Sequence, residues 1–210
     1  MMMIRCLATL CLLFAMPAHA RVDQSNPHDD VVAAVKAQLE QPNVLRGIFE
    51  QSKQIEGFSK PLLSSGDFIV SRERGVLWRT AKPFPSVLKL TRDEIVASQG
   101  DAVTFRLSAD SEPSVRIING LMFSLLNGDV AALDKQFAIS GTTAVEQWSL
   151  DLKPKQAAFA KLIRAIALKG DAHVRGIAID EANGDKTQIR FSDQVSVPAT
   201  LSADELERFK

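Results

Sequence analysis

The sequence predicts an α+β protein: a large, curved antiparallel sheet with helices over one face. Three features predict it. Closely spaced β-prone runs fill Leu45 to Leu107, an amphipathic helix precedes them, and a helical insert separates them from a second group of strands.

The front helix opens at Asp29-Asp30. Val32, Val35 and Leu39 recur at helical spacing until Pro42 stops the element, so its apolar stripe must cover something. Strand runs follow at 48–55, 67–72, 75–80, 87–92, 94–97 and 103–107, punctuated by Gly, Pro, Asp and Ser. Strands this close in sequence can be joined only by short turns, which makes an antiparallel meander.

Beyond Pro113-Ser114, Val115, Ile118, Met122, Leu125 and Leu126 recur at helical spacing, and Asn127-Gly128-Asp129 caps the element. Ile117, Leu121 and Phe123 make this helix apolar on more than one face, so it should be sandwiched or face a cavity, as a lid would. A second short helix spans 129–136. Trp148, Leu150 and Leu152 then alternate with Ser149, Asp151 and Lys153, the period of a half-buried strand. A short helix over 155–162 leads to strands at 165–168, 173–180 and 186–192, the last two joined at Asn183-Gly184. Ser202 and Glu205 form a capping box that opens a terminal helix. With about ten strands and one insert, one face of the sheet must be covered, tightly as a core or loosely as a pocket.

Residues 1–20 read as a secretory signal: Arg5 is followed by an apolar run from Cys6 to Met16 and by the cleavage motif Ala18-His19-Ala20. The run falls short of the roughly 18 to 20 apolar residues needed to span a bilayer. A single domain over 21–210, monomeric and periplasmic, is expected. Neither Cys6 nor Cys11 follows a small residue, so a lipid anchor is not expected, and the mature chain carries no thiol. The 25 basic residues balance 25 acidic ones, which excludes the charge footprint of a nucleic-acid binder. The small basic set Arg72, Arg74 and Arg79 reads as a solvated strand face. Eleven Phe, two Trp and no Tyr give an aromatic set almost without hydroxyls, suited to an apolar interior.

Catalytic patterns are absent. No Gly-x-Ser-x-Gly, His-Glu-x-x-His or phosphate-cradling glycine loop occurs. Beyond the signal, His28 and His173 sit in polar stretches without a partner in sequence, so no catalytic residue, metal or cofactor is expected and the chain does not read as an enzyme.

One ordered set of motifs resembles a known family. Phe49-x-Gln51 is followed by Gly66-Asp67-Phe68-x-Val70-x-Arg72 and by Leu77-Trp78 with Pro83. Trp148-x-Leu150-x-Leu152-x-Pro154 and the Asn183-Gly184 hairpin keep a similar order further on. This set is similar to the strand block of the LolA-like lipoprotein carriers. The resemblance implies an unclosed β-barrel covered by helices that act as a lid over an apolar cavity. Arg72 matches the family's lid-restraining arginine, and Ile69, Val76 and Trp78 match cavity-wall positions. Glu73-Arg74-Gly75 stands where a proline usually follows that arginine. The lipid-binding residues expected are Phe49, Phe68, Ile69, Val76, Trp78, Leu88, Leu90 and Trp148, with Met122 and Leu125 from the helical insert read as a lid.

The partners implied are acylated cargo (a lipoprotein or related lipid), an inner-membrane donor complex and an outer-membrane acceptor. Leaving one acyl chain of about 16 carbons in water costs roughly 12 kcal/mol, which is the physical need such a carrier meets. The alternative expectation is a periplasmic protein-interaction module whose inner face is an ordinary close-packed core.

Overall fold

The computed structural model describes residues 27–108, 110, 123–124 and 129–209. The expected signal lies outside these residues, and so does the insert 115–126 apart from Phe123 and Ser124, which are helical. Helix α1 (Pro27–Gln38) leads into β1 (Val44–Gln54), β2 (Leu62–Ser71), β3 (Gly75–Lys82), β4 (Ser86–Leu90), β5 (Glu94–Gln99) and β6 (Ala102–Ser108). Helix α2 (Val130–Asp134) precedes β7 (Phe137–Ala144), β8 (Gln147–Pro154), α3 (Ala157–Ala160), β9 (Ile163–Gly170), β10 (Val174–Glu181), β11 (Lys186–Val195) and α4 (Ala203–Arg208).

Among the described residues the strands form one 11-stranded sheet in the order β6-β5-β4-β3-β2-β1-β11-β10-β9-β8-β7. Every pairing is antiparallel. The first and last strands meet at the centre, Phe49 opposite Phe191 and Gln51 opposite Ile189. From that seam two meanders run outward to β6 and β7, which do not pair with each other, so the sheet is curved but unclosed.

Alternation along the strands sends one set of side chains to a common inner face. Leu45, Phe49, Phe68, Val70, Val76 and Trp78 from the first half join Leu150, Leu152, Ile166, Leu168, Ile177, Ile189 and Phe191 from the second in one buried cluster. Val35 and Leu39 of α1 and Val130 and Leu133 of α2 complete it, both helices packing on β7. The helical spacing of Val32, Val35 and Leu39 is thus spent on the sheet. A smaller cluster of Val44, Ile69, Leu77 and Phe209 occupies the opposite face, where α4 docks.

Three expectations change. Strand β7 has no counterpart among the runs expected from sequence, although Phe137 and Ile139 are buried while Ala138 and Ser140 are exposed, a period of two. The helices expected over 129–136 and 155–162 shorten to α2 and α3. Strand β2 starts at Leu62 and not at Asp67, because pairing with Ser52 and Lys53 of β1 orders its exposed front end.

Candidate functional site

The motif residues meet on the inner face. Phe49 stands opposite Gly66 in the β1–β2 register, and Phe68 stands opposite Trp78 in β2–β3. A Cβ on Gly66 would lie 1.8 Å from the Arg79 carbonyl oxygen and 3.0 Å from the Phe49 ring. Without one, the Phe49 ring crosses β2 and stacks on Trp78, centroids 3.8 Å apart and planes inclined by 28°. Phe191 closes the group edge-on, 5.2 Å from Phe68 and 6.0 Å from Trp78. The spacing of Phe49, Gly66, Phe68 and Trp78 therefore builds one aromatic slab across three strands and the seam.

The apolar face continues past the slab toward the edge strand. Trp78 pairs with Leu88, Leu88 with Ala97 and Ala97 with Phe105, which carries the apolar row to the edge strand β6. Along this row exposure rises from 9% at Trp78 to 47% at Phe105. Leu88 and Leu107 both pack against the buried Ile95.

At one end of the inner face a polar cluster closes the interior. Lys53 Nζ lies 2.8 Å from Glu181 and 3.3 Å from Asp185, and Thr187 Oγ1 donates to Glu181 at 3.1 Å. The hydrogen bond to Glu181 raises the Lys53 pKa, and the backbone N–H of Glu56 holds the Asp185 carboxyl below its ordinary value. At the other end Trp148 Nε1 donates to the Asp171 carbonyl at 2.6 Å, and the Glu40 N–H, just past α1, donates to Ala172 at 2.8 Å.

Of the residues expected at the site, Phe49, Phe68, Val76, Trp78, Leu90 and Trp148 share the inner cluster and Leu88 packs against it. Ile69 is a correction: adjacent strand residues point to opposite faces, so with Phe68 and Val70 inward Ile69 packs against Val44, Leu77 and Phe209. Met122 and Leu125 lie outside the described residues. Arg72 is exposed in the turn after β2, where Nη2 donates to Gln41 Oε1 at 2.8 Å and the backbone N–H donates to Asn43 at 3.1 Å, tying the α1–β1 connection. Arg79 instead donates to Asp67 at 2.8 Å. Phe105, Phe137 and Phe191 belong to the inner face and were not expected there; each occupies an alternating apolar position in its strand.

The opposite face of the sheet carries a hollow of about 800 Å³ that spans β8, β9, β10, β11, β1 and β2 to Lys82 and Pro83. Among the described residues no group of His, Cys, Asp and Glu could hold a metal ion, and no helix is long and apolar enough to cross a membrane.

The chain folds as an open antiparallel sheet with an aromatic inner face and with α1 and α2 packed on its β7 edge. The chain belongs to the outer membrane lipoprotein carrier protein LolA-like family, whose model matches residues 27–206. No curated protein matches the sequence. Among solved structures, a LolA superfamily protein from Nitrosomonas europaea is similar at 9% identity and a TM-score of 0.44, over 81% of this chain and 93% of that one. A DUF1329 family protein from Desulfovibrio piger is similar at 11% identity and a TM-score of 0.49, over 89% of this chain and all (100%) of that one. The complex of MucA and MucB from Pseudomonas aeruginosa gives 12% identity and a TM-score of 0.46, over 89% of this chain and 61% of that chain.

Proposed function

We propose that this protein is a non-enzymatic periplasmic carrier that holds the acyl chains of lipoproteins or related lipids against its inner face and moves them toward the outer membrane. Membership of the LolA-like family supports the reading. The observation that carries it is the row from Trp78 through Leu88 and Ala97 to Phe105, where an apolar face runs from the buried slab to the edge strand and ends exposed. An acyl chain laid along that row would be shielded at a gain of about 0.8 kcal/mol per buried methylene. Cargo would be released by a shift between conformations or by a better acceptor, with no bond made or broken. Signal cleavage after Ala20, a lid formed by 115–126 with Met122 and Leu125 on the cargo, and restraint of that lid by Arg72 are parts of the same proposal.

A second reading has an observation of its own. Phe49, Val76, Phe137, Leu150 and Leu152 are wholly buried at 0% exposure, the packing of an ordinary core, which favours a protein-interaction module. Delipidated protein titrated with an apolar fluorescent dye separates the two. Stoichiometric binding by a protein that still unfolds cooperatively, weakened by Phe105→Asp, is expected of the carrier. Absence of binding in the folded protein would leave the interaction module. Mass spectrometry of lipid retained through gentle purification would then identify the cargo.

A further inference from the structure

We propose that the hollow on the outer face is a binding site for a small zwitterionic phosphate ester of the phosphoethanolamine type. It is independent of the carrier reading, because it lies on the face opposite the aromatic slab. The register fixes its composition: Lys169 pairs with Gly176, Gly176 with Arg190, Arg190 with Glu50, Glu50 with Ser65 and Ser65 with Lys82. These positions alternate with the buried Leu168, Ile177 and Ile189, so their side chains face the hollow and not the core.

Two observations point to a ligand. Lys169, Arg190 and Lys82 are exposed and have no ion pair among the described residues, and neither has Glu50, although it stands directly opposite Arg190. Other strand cations of the sheet do meet acids, Arg46 with Glu205, Arg79 with Asp67, Arg106 with Glu94 and Arg175 with Asp171, whereas these three share one hollow. In addition, Gly176 leaves the space over β10 to the Lys169 side chain, whose Cε lies 2.8 Å from where a Cβ would stand. The lysine stem therefore lies across the glycine, toward Arg190 on the next strand.

Two cations with a bare backbone between them suit a phosphate, which arginine grips bidentately and lysine as a point charge. Glu50, one strand beyond Arg190, would repel a plain dianion but receives an ammonium two carbons away from that phosphate. The volume of about 800 Å³ lies within the range of small-molecule sites. The group can reach the hollow as a phospholipid headgroup or as a free phosphate ester; the chemistry recognised is the same.

The test titrates the full-length mature protein with O-phosphoethanolamine and with glycerol 3-phosphate by calorimetry, and adds sedimentation with phosphatidylethanolamine–phosphatidylcholine vesicles. Saturable binding of O-phosphoethanolamine, at least tenfold weaker in Arg190→Gln and in Lys169→Gln, is expected. Glu50→Gln should weaken O-phosphoethanolamine without weakening glycerol 3-phosphate. Gly176→Val keeps every charge but displaces Lys169, and should lose binding at an unchanged thermal midpoint. Vesicle binding with the same variant pattern assigns the site to a membrane headgroup, and soluble binding alone assigns it to a free ester; both support the site. Binding in neither arm, or binding indifferent to Arg190→Gln and Lys169→Gln in proteins that remain folded, overturns it.

Discussion

Arg46 and Glu205 form a two-pronged ion pair, Nε to Oε1 at 2.6 Å and Nη2 to Oε2 at 2.7 Å, that fastens α4 to the central strand β1. Arg46 also donates to the Pro198 and Thr200 carbonyls at 2.9 Å each, while Glu205 accepts from the Ser202 N–H at 2.7 Å in the capping box. One guanidinium thereby fixes the incoming loop and the helix start together. The hydrogen bonds from Arg46 draw the Glu205 pKa from 4.5 down to about 2.

That lowered value makes the pair a source of acid sensitivity. A carboxyl whose folded pKa is depressed stabilises fully above its unfolded value and loses the contribution as pH falls from 4.5 through about 2. Glu205→Gln is expected to cost about 1 to 2 kcal/mol at neutral pH, the scale of a charge-assisted hydrogen bond at a partly solvated position. Denaturant titrations of both proteins at several pH values should show the difference shrinking below pH 4.5. A constant difference down to pH 2 would refute the assignment.

Gly66 is expected to tolerate no side chain. A methyl there meets the Arg79 carbonyl at 1.8 Å and the edge of the Phe49 ring at 3.0 Å, so the β2–β3 pairing or the aromatic stack has to shift. Gly66→Ala should destabilise by about 1 to 3 kcal/mol, the range for overpacking, with tryptophan fluorescence changed because Phe49 stacks on Trp78. An unaltered melting curve would show that the strands absorb the methyl.

Leu150 and Phe105 should behave in opposite ways. Leu150 is fully buried, and Leu150→Ala is expected to cost about 2 to 5 kcal/mol. Phe105 is 47% exposed, so Phe105→Ala should cost clearly less while weakening apolar-dye binding. If dye binding follows Leu150 and ignores Phe105, the exposed row is not the lipid path.

Arg72→Leu removes the contact to Gln41 and, in the carrier reading, the restraint on the 115–126 segment. Faster cargo release at a nearly unchanged thermal midpoint is expected for Arg72→Leu and not for Arg74→Leu, where the backbone N–H donates to Ser71 Oγ at 3.3 Å and survives the substitution. Equal release from the two variants would leave Arg72 without a dedicated role.

Much of this architecture is legible in the sequence because strand alternation and helix spacing are local. Trp148, Leu150 and Leu152 announce β8, and Ser202 with Glu205 announces α4. The residues that escape notice depend on partners far away in the chain. Phe191 joins the slab only because β11 lies beside β1, a pairing no local pattern encodes. Ile69 was expected beside Phe68, but the pleat separates neighbours. The outer hollow depends on Gly176, Ala167 and Ala178 meeting across β9 and β10, and a scatter of small residues carries no such message until the register is known.

The β1–β11 seam sets the order in which the molecule can be finished. A chain emerging from its N-terminus delivers β1 through β6 as a run of neighbours that pair as they appear, then β7 through β11 as another. The central strand meanwhile waits with one edge bare until the last strand arrives. Joining Phe49 to Phe191 closes a loop of about two thirds of the chain, the slow kind of contact for folding, and an exposed edge invites pairing with other molecules until then. Synthesis cut short before β11 would leave two half-sheets with no common middle, and the aromatic slab would lose Phe191, the ring the second half contributes to it.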